Sequence, residues 1–279
     1  MKEKILFYLT GVCLLLLLPY GFTIVMNGMD TALLSRSPDM EACLPVMLSV
    51  QISDEYELET IKSQAVIART NFYRRLIQKE SLSEILGEIR QNMLEGYEFW
   101  KLPGEIYEKA AEQTEGQVLT FEEELKLVPY HEISSGQTRE GTEVFHNEAY
   151  TYLKSVDSSS DKNSPDYISS TYISQQQMPK VLEVEQRDAS EYVMSLRADG
   201  NLLEGEAFRQ GLGLASSNFT MQEIGGEIRF LCKGKGHGLG FSQYGGNEQA
   251  KTGASYQEIL ELYFPAMELE DINGIFAKK

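Results

Sequence analysis

The sequence predicts an α+β protein: an N-terminal membrane helix followed by a mixed helix and short-strand ectodomain in two lobes. Three observations predict it. Residues 5–26 are almost entirely apolar and uncharged, and residues 40–77 place apolar side chains at helical spacing. Beyond Met178 the pattern alternates in short runs without a strand–helix–strand rhythm. The chain divides into an anchor (1–27), a linker (28–39), an ectodomain (40–267) and a C-terminal tail (268–279).

Taking the elements in order, Lys2 and Lys4 precede the apolar run and Asp30 follows it. At about 1.5 Å per residue the run reaches across a hydrocarbon core roughly 30 Å thick. A cleaved signal would be shorter and end on small residues; Pro19-Tyr20-Gly21 is a poor cleavage site. The run therefore reads as an uncleaved anchor, with the basic end inside and everything after Asp30 outside the cytoplasm. Met40, Cys43, Leu44, Met47 and Leu48 form one helical stripe, and Gln51 continues it. A polar group there either edges a site or is hydrogen-bonded in the core.

Asp54 and Glu57 read as a capping pair for the next helix, 58–77. Lys62 and Arg69 lie seven apart, sharing a face within roughly 20°. That face is either a solvated helix side or a cationic shelf beside a polar ligand. Residues 81–115 read as helical, and 116–120 switch to strand character. Ser134-Ser135-Gly136 is a turn, and 158–165 a polar loop. Short strands follow near 181–184, 192–196 and 228–231. Ser255 and Glu258 open a last helix ending near Phe264.

The composition excludes some functions. The formal net charge of -17, with no Lys/Arg cluster, argues against a nucleic-acid partner. It equally disfavours attachment to an anionic polymer by bulk charge, so any such partner would be held by hydrogen bonds and stacking. Cys13, Cys43 and Cys232 form no paired framework; a Cys43–Cys232 bond is possible, but two small hydrophobes is the simpler reading. His131, His146 and His237 lack the i, i+4 spacing of a zinc site, and no CxxC or GxSxG occurs.

The densest unusual stretch is Gly236-His237-Gly238-Leu239-Gly240-Phe241-Ser242-Gln243-Tyr244-Gly245-Gly246. Glycines let backbone approach a ligand, while His237, Gln243 and Tyr244 supply a titratable group, an amide and an aromatic face, a mixture suited to sugars. A tight structural turn is the competing reading.

Together with Ile61-Lys62-Ser63-Gln64-Ala65-Val66-Ile67-Ala68-Arg69-Thr70, that stretch resembles the stage II sporulation protein D family, also described as amidase enhancers. Supporting runs are Gly205-Glu206-Ala207-Phe208-Arg209, Leu212-Gly213-Leu214, Ser216-Ser217-Asn218-Phe219, Gly116 to Thr120, Tyr130-His131 with Ser134-Ser135-Gly136, and 255–265. The resemblance covers about residues 40–267, in order.

It implies a sporulation membrane protein that binds denuded peptidoglycan glycan strands during engulfment. A murein amidase and a second membrane protein of the engulfment machinery would be its partners. Family members act as lytic transglycosylases: one glutamate protonates the glycosidic oxygen and then takes the proton of the sugar C6 hydroxyl, closing a 1,6-anhydro ring. By the family's spacing that glutamate falls on Gln51. Lys62 and Arg69 match functionally important cations, and His237, Gln243, Tyr244, Ser134 and Ser135 would contact substrate. An amide neither gives nor takes a proton near neutral pH, and general acid–base catalysis is worth about 10²–10⁴-fold. Two readings follow: a weakened glycan-cutting enzyme, or a silent glycan-binding scaffold or amidase activator. Asp54, Glu55 and Glu57 are possible substitutes for the acid against the ungapped match, and Glu41 is too far. Some anchored relatives bind zinc through Cys and His after the first helices; residues 78–115 contain neither. No cofactor or metal is expected.

Overall fold

The computed structural model describes residues 40–78, 80–81, 84–85, 87 and 104–277. The expected anchor, residues 5–26, lies outside them. Among the described residues no helix is long and apolar enough to cross a membrane. The chain divides between Cys43 and Leu44; of the first unit only Met40 to Cys43 is described, and the unit from Leu44 onward carries the features below.

Helix α1 (Met40–Gln51) carries the apolar stripe read from the sequence, and Gln51 is its last residue. Helix α2 (Leu58–Ile77) has the expected span but not the expected cap. Its N-terminal Glu57 N–H donates to Asn247 Oδ1 at 2.8 Å, and Thr60 Oγ1 donates to the same oxygen at 3.2 Å. A side chain 190 residues away in sequence replaces the Asp54–Glu57 pair, satisfying one of the orphan donors of a helix start. Every residue from Thr60 to Thr70 is buried. Helix α2 is therefore central rather than amphipathic, packing against α3 (Glu105–Gln113), strand β1 (Gln117–Thr120) and two later helices, α6 (Gln243–Lys251) and α7 (Tyr256–Tyr263).

A short strand β2 (Tyr130–His131) pairs in parallel with β9 (Phe241–Ser242). Helix α4 (Gly141–Phe145) follows β2. Two antiparallel three-stranded sheets complete the α+β architecture. One orders β3 (Ile168–Ser174), β8 (Glu227–Lys233) and β7 (Phe219–Ile224); the other orders β4 (Leu182–Arg187), β5 (Val193–Ala198) and β6 (Asn201–Glu204). Helix α5 (Gly205–Gly211) follows β6 directly. The Ser255–Glu258 capping box of α7 forms as read, with both reciprocal bonds present. Residues 268–277 are not a tail: β10 (Glu268–Asp271) pairs with β1, and α8 (Ile272–Ala277) follows.

The two lobes expected are two hydrophobic clusters inside one compact unit. One gathers Val66, Ile67, Phe241, Tyr263 and Phe264 around α2; the other gathers Leu196, Phe208, Phe219 and Phe230 between the sheets and α5. Each fully buried phenylalanine contributes about 1.5–3 kcal/mol relative to exposure. Cys43 and Cys232 are both free thiols, Cys232 buried among the second cluster.

Candidate functional site

Gln51 stands at the end of α1, half-buried. Its backbone carbonyl is one of the orphan acceptors of a helix C-terminus. Gln243 Nε2 donates to it at 2.7 Å, and the same nitrogen lies 3.2 Å from Gln64 Oε1. Gln64 Nε2 donates to Gln51 Oε1 at 2.9 Å. Gln64 is fully buried and Gln243 nearly so. The loop leaving α1 is tied down as well, since Tyr107 Oη donates to Ile52 O at 2.7 Å.

The directions of these bonds follow from the first. A backbone carbonyl can only accept, so Gln243 must present its nitrogen to it. The atom of Gln64 facing that nitrogen must then be its oxygen. That leaves Gln64 Nε2 facing Gln51, which must answer with Oε1. Glycine lets Gln243 reach this place: at Gly240 (φ +66°) a Cβ would lie 2.2 Å from Pro129 O, blocking the approach that seats β9 beside β2.

Lys62 and Arg69 do not join this cluster. Lys62 and Gln64 are separated by about 200° around α2. Lys62 Nζ pairs with Glu59 at 2.6 Å and lies 5.4 Å from the Tyr256 ring centroid, while Glu59 accepts from Tyr256 N. Arg69 is fully buried and donates to Gln117 O at 3.0 Å and Ala111 O at 3.2 Å, where it closes the end of α3 onto β1. Their face is neither a solvated side nor an open cationic shelf, because other elements cover it.

His237 lines a different cavity, of about 650 Å³, whose wall includes Tyr130, Arg139, Glu206 and Leu239 but none of the three glutamines. Its ring is already engaged: Nδ1 accepts from Leu239 N at 3.1 Å. Burial holds its pKa below the usual histidine range, and the Glu206 carboxylate opposes that shift. The His131 ring lies 5.7 Å away, its Nδ1–H donating to Leu239 O at 3.0 Å. Burial pushes its pKa down to about 3, so it is neutral.

Ser134 and Ser135 are held by the fold. Ser134 N and the hydroxyls of Ser158 and Ser242 all donate to Asp161, at 2.8, 3.0 and 2.9 Å. Ser135 N donates to Tyr192 Oη at 3.0 Å. Tyr244 is half-buried and next to Gln243 in sequence. It lies near Tyr56, whose phenol is pushed up to about 12 by burial and then by the charges of Glu132 and Asp161. Asp54, Glu55 and Glu57 are exposed, and no carboxylate is hydrogen-bonded to the glutamine cluster among the described residues. No group of three or more His, Cys, Asp or Glu among those residues could hold a metal ion.

The structure thus brings Gln51 and Gln243 together and sets Lys62, Arg69, His237, Ser134 and Ser135 elsewhere. Gln64 shows in the sequence only as part of a motif, and Asp161 is not singled out there. Its one sequence signal is an acidic residue set in a serine-rich loop.

The sequence profile of the family described as Stage II sporulation protein matches residues 31–121, the segment that holds Gln51 and Gln64. Stage II sporulation protein D of Bacillus subtilis (strain 168) is 29% identical over 252 residues, covering 80% of this chain and 73% of the relative. Its counterpart from Bacillus amyloliquefaciens is 27% identical over 249 residues, covering 80% of this chain and 72% of the relative. The chain thus carries a Stage II sporulation protein family domain over residues 31–121 and is similar, along most of its length, to proteins named stage II sporulation protein D. A protein named amidase enhancer, from Bacillus subtilis (strain 168), is 51% identical over 54 residues, 19% of this chain and 8% of the relative.

Proposed function

We propose that this sporulation-family protein binds peptidoglycan glycan strands stripped of their stem peptides, and holds them without cutting. Residues 5–26 would anchor it in a membrane with the rest of the chain outside the cytoplasm. The observation that carries the reading is the group at position 51. It is an amide, held by two further amides, where the family resemblance calls for a proton-shuttling glutamate. Hydrogen bonding to neutral oxygens is what such a group can do; giving and taking a proton near neutral pH is not. The stretch of likeness to a protein named amidase enhancer supports a cell-wall amidase as partner; a second membrane protein alongside is what the family resemblance implies.

The cutting reading has one supporting feature. Gln64 offers an N–H donor to the side-chain oxygen at 51, and a carboxylate there would accept the same bond. The surroundings therefore suit an acid that the chain itself does not carry.

Co-sedimentation of the protein with amidase-treated glycan strands tests the proposal. Retention on those strands is expected. Absence of retention would overturn both the binding and the cutting readings.

A further inference from the structure

The three glutamines form a chain with one direction. Gln243 Nε2 donates to Gln51 O and to Gln64 Oε1, and Gln64 Nε2 donates to Gln51 Oε1. Each link is fixed by the one before it, and the first by a backbone carbonyl that can only accept. Polarisation along such a chain strengthens each successive donor. The chain ends on Gln51 Nε2, which has no protein partner among the described residues and belongs to a half-buried side chain. Its two N–H bonds are unspent.

We propose that Gln64, oriented by Gln243, is a positioning residue that makes Gln51 an obligate hydrogen-bond donor toward an uncharged sugar oxygen, a glycosidic or acetamido oxygen. This rests on the glycan-binding reading above. An amide turned the opposite way would present Oε1 and repel the same oxygen. A protonated carboxyl at 51 would present the matching pattern, one oxygen accepting from Gln64 and an O–H donating outward. Gln51 thus reproduces the binding face of a protonated acid but has no proton to transfer, and its grip on the sugar carries no titration of its own.

The same geometry gives Gln64 a second, measurable consequence. A hydrogen bond donated to an ionised carboxylate favours the charged form. In a Gln51→Glu variant, Gln64 would hold the carboxyl pKa down, and removing the Gln64 donor would let it rise.

The test is affinity for an N-acetylglucosamine oligomer, an uncharged chain that offers glycosidic and acetamido oxygens, measured calorimetrically between about pH 3 and 7, a window that spans the carboxylate range. Three proteins are compared: wild type, Gln51→Glu, and Gln51→Glu with Gln64→Met. Wild-type affinity should stay flat through residue 51's range. The Gln51→Glu variant should match wild type when protonated and bind about tenfold more weakly once ionised, as one donor becomes a repelling acceptor. The double variant should show the same fall with its midpoint moved to higher pH. A flat profile for Gln51→Glu overturns the donor assignment. An unmoved midpoint in the double variant overturns the role of Gln64. Absence of wild-type binding overturns the glycan reading, and the inference with it.

Discussion

Ser242 and Gln243 are neighbours at the start of α6, yet they serve polar clusters of opposite character. Ser242 faces Asp161, a buried carboxylate that also accepts from Ser134 N and the Ser158 hydroxyl. Tyr263 Oη closes that cluster, 2.7 Å from Ser158 Oγ. Gln243 faces Gln64 and Gln51, where the chain of donors reaches the surface with N–H bonds to spare. Burial is complete in the first and partial in the second. Saturated networks stabilise a fold; a network that ends on an unspent donor is available to a ligand. Buried polar groups that lose their partners cost far more than exposed ones, so the two clusters should respond differently to the same kind of damage.

The largest effect is expected at the closed cluster. Asp161→Ala removes one acceptor and strands three buried donors, a loss of about 4 kcal/mol in urea unfolding. A loss below about 1 kcal/mol would break the comparison, since Asp161 would then not be the keystone its contacts suggest.

Next comes acid sensitivity on the same side, where His131 pairs in register with Ser242. Burial holds the His131 pKa near about 3 in the folded protein. An unfolded histidine titrates near ~6.5. Between those values the unfolded chain binds more protons, so stability is full above the unfolded value and falls as pH drops. The loss from about pH 6.5 to 4.5 should be on the order of 2 kcal/mol. His131→Asn keeps a donor for Leu239 O and should flatten the dependence, read from unfolding midpoints at the two pH values. His237, shifted in the same direction, leaves a smaller residual slope.

Arg69 sharpens the contrast between resemblance and geometry. Family likeness marks it as functionally important, whereas its guanidinium is enclosed and spent on the carbonyls of Ala111 and Gln117. Arg69→Met should cost about 2–3 kcal/mol in stability and leave strand affinity per folded molecule unchanged. A variant of full stability with lost binding would move Arg69 into the open cluster. The smallest effect is expected from Gln64→Met, about 1 kcal/mol, because Gln243 keeps its bond to Gln51 O.

The fold was legible where its cause is local. The Ser255–Glu258 box lies within one turn, and α2 has a long, well-formed helical sequence. The start of α2 was misread because its cap, Asn247, comes from α6 and leaves no trace near residue 57. Strand β3, Ile168–Ser174, was missed because its Ser- and Thr-rich sequence is half-exposed at a sheet edge and reads as loop. Strand β10 and α8 read as a tail in the sequence because their pairing partner, β1, lies some 150 residues earlier.

The candidate site divides in the same way. Gln51 and Gln243 could be named from motif and count, since both follow from one-dimensional spacing. Helical periodicity put Lys62 and Arg69 on one face but could not say that other elements cover it. Glycine density drew His237 into the same set as Gln243, although the strand between them directs the two side chains to different places. Gln64 escaped notice because a glutamine inside a helix has no signature until its partners are known.

On the proposed reading, the amide at position 51 holds a glycan strand without breaking it. The most direct test is mass spectrometry of soluble products after amidase-treated strands are incubated with the wild-type protein and with Gln51→Glu. No 1,6-anhydro products are expected from wild type, and they should appear with the variant. Release of 1,6-anhydro products by the wild-type protein would contradict that reading.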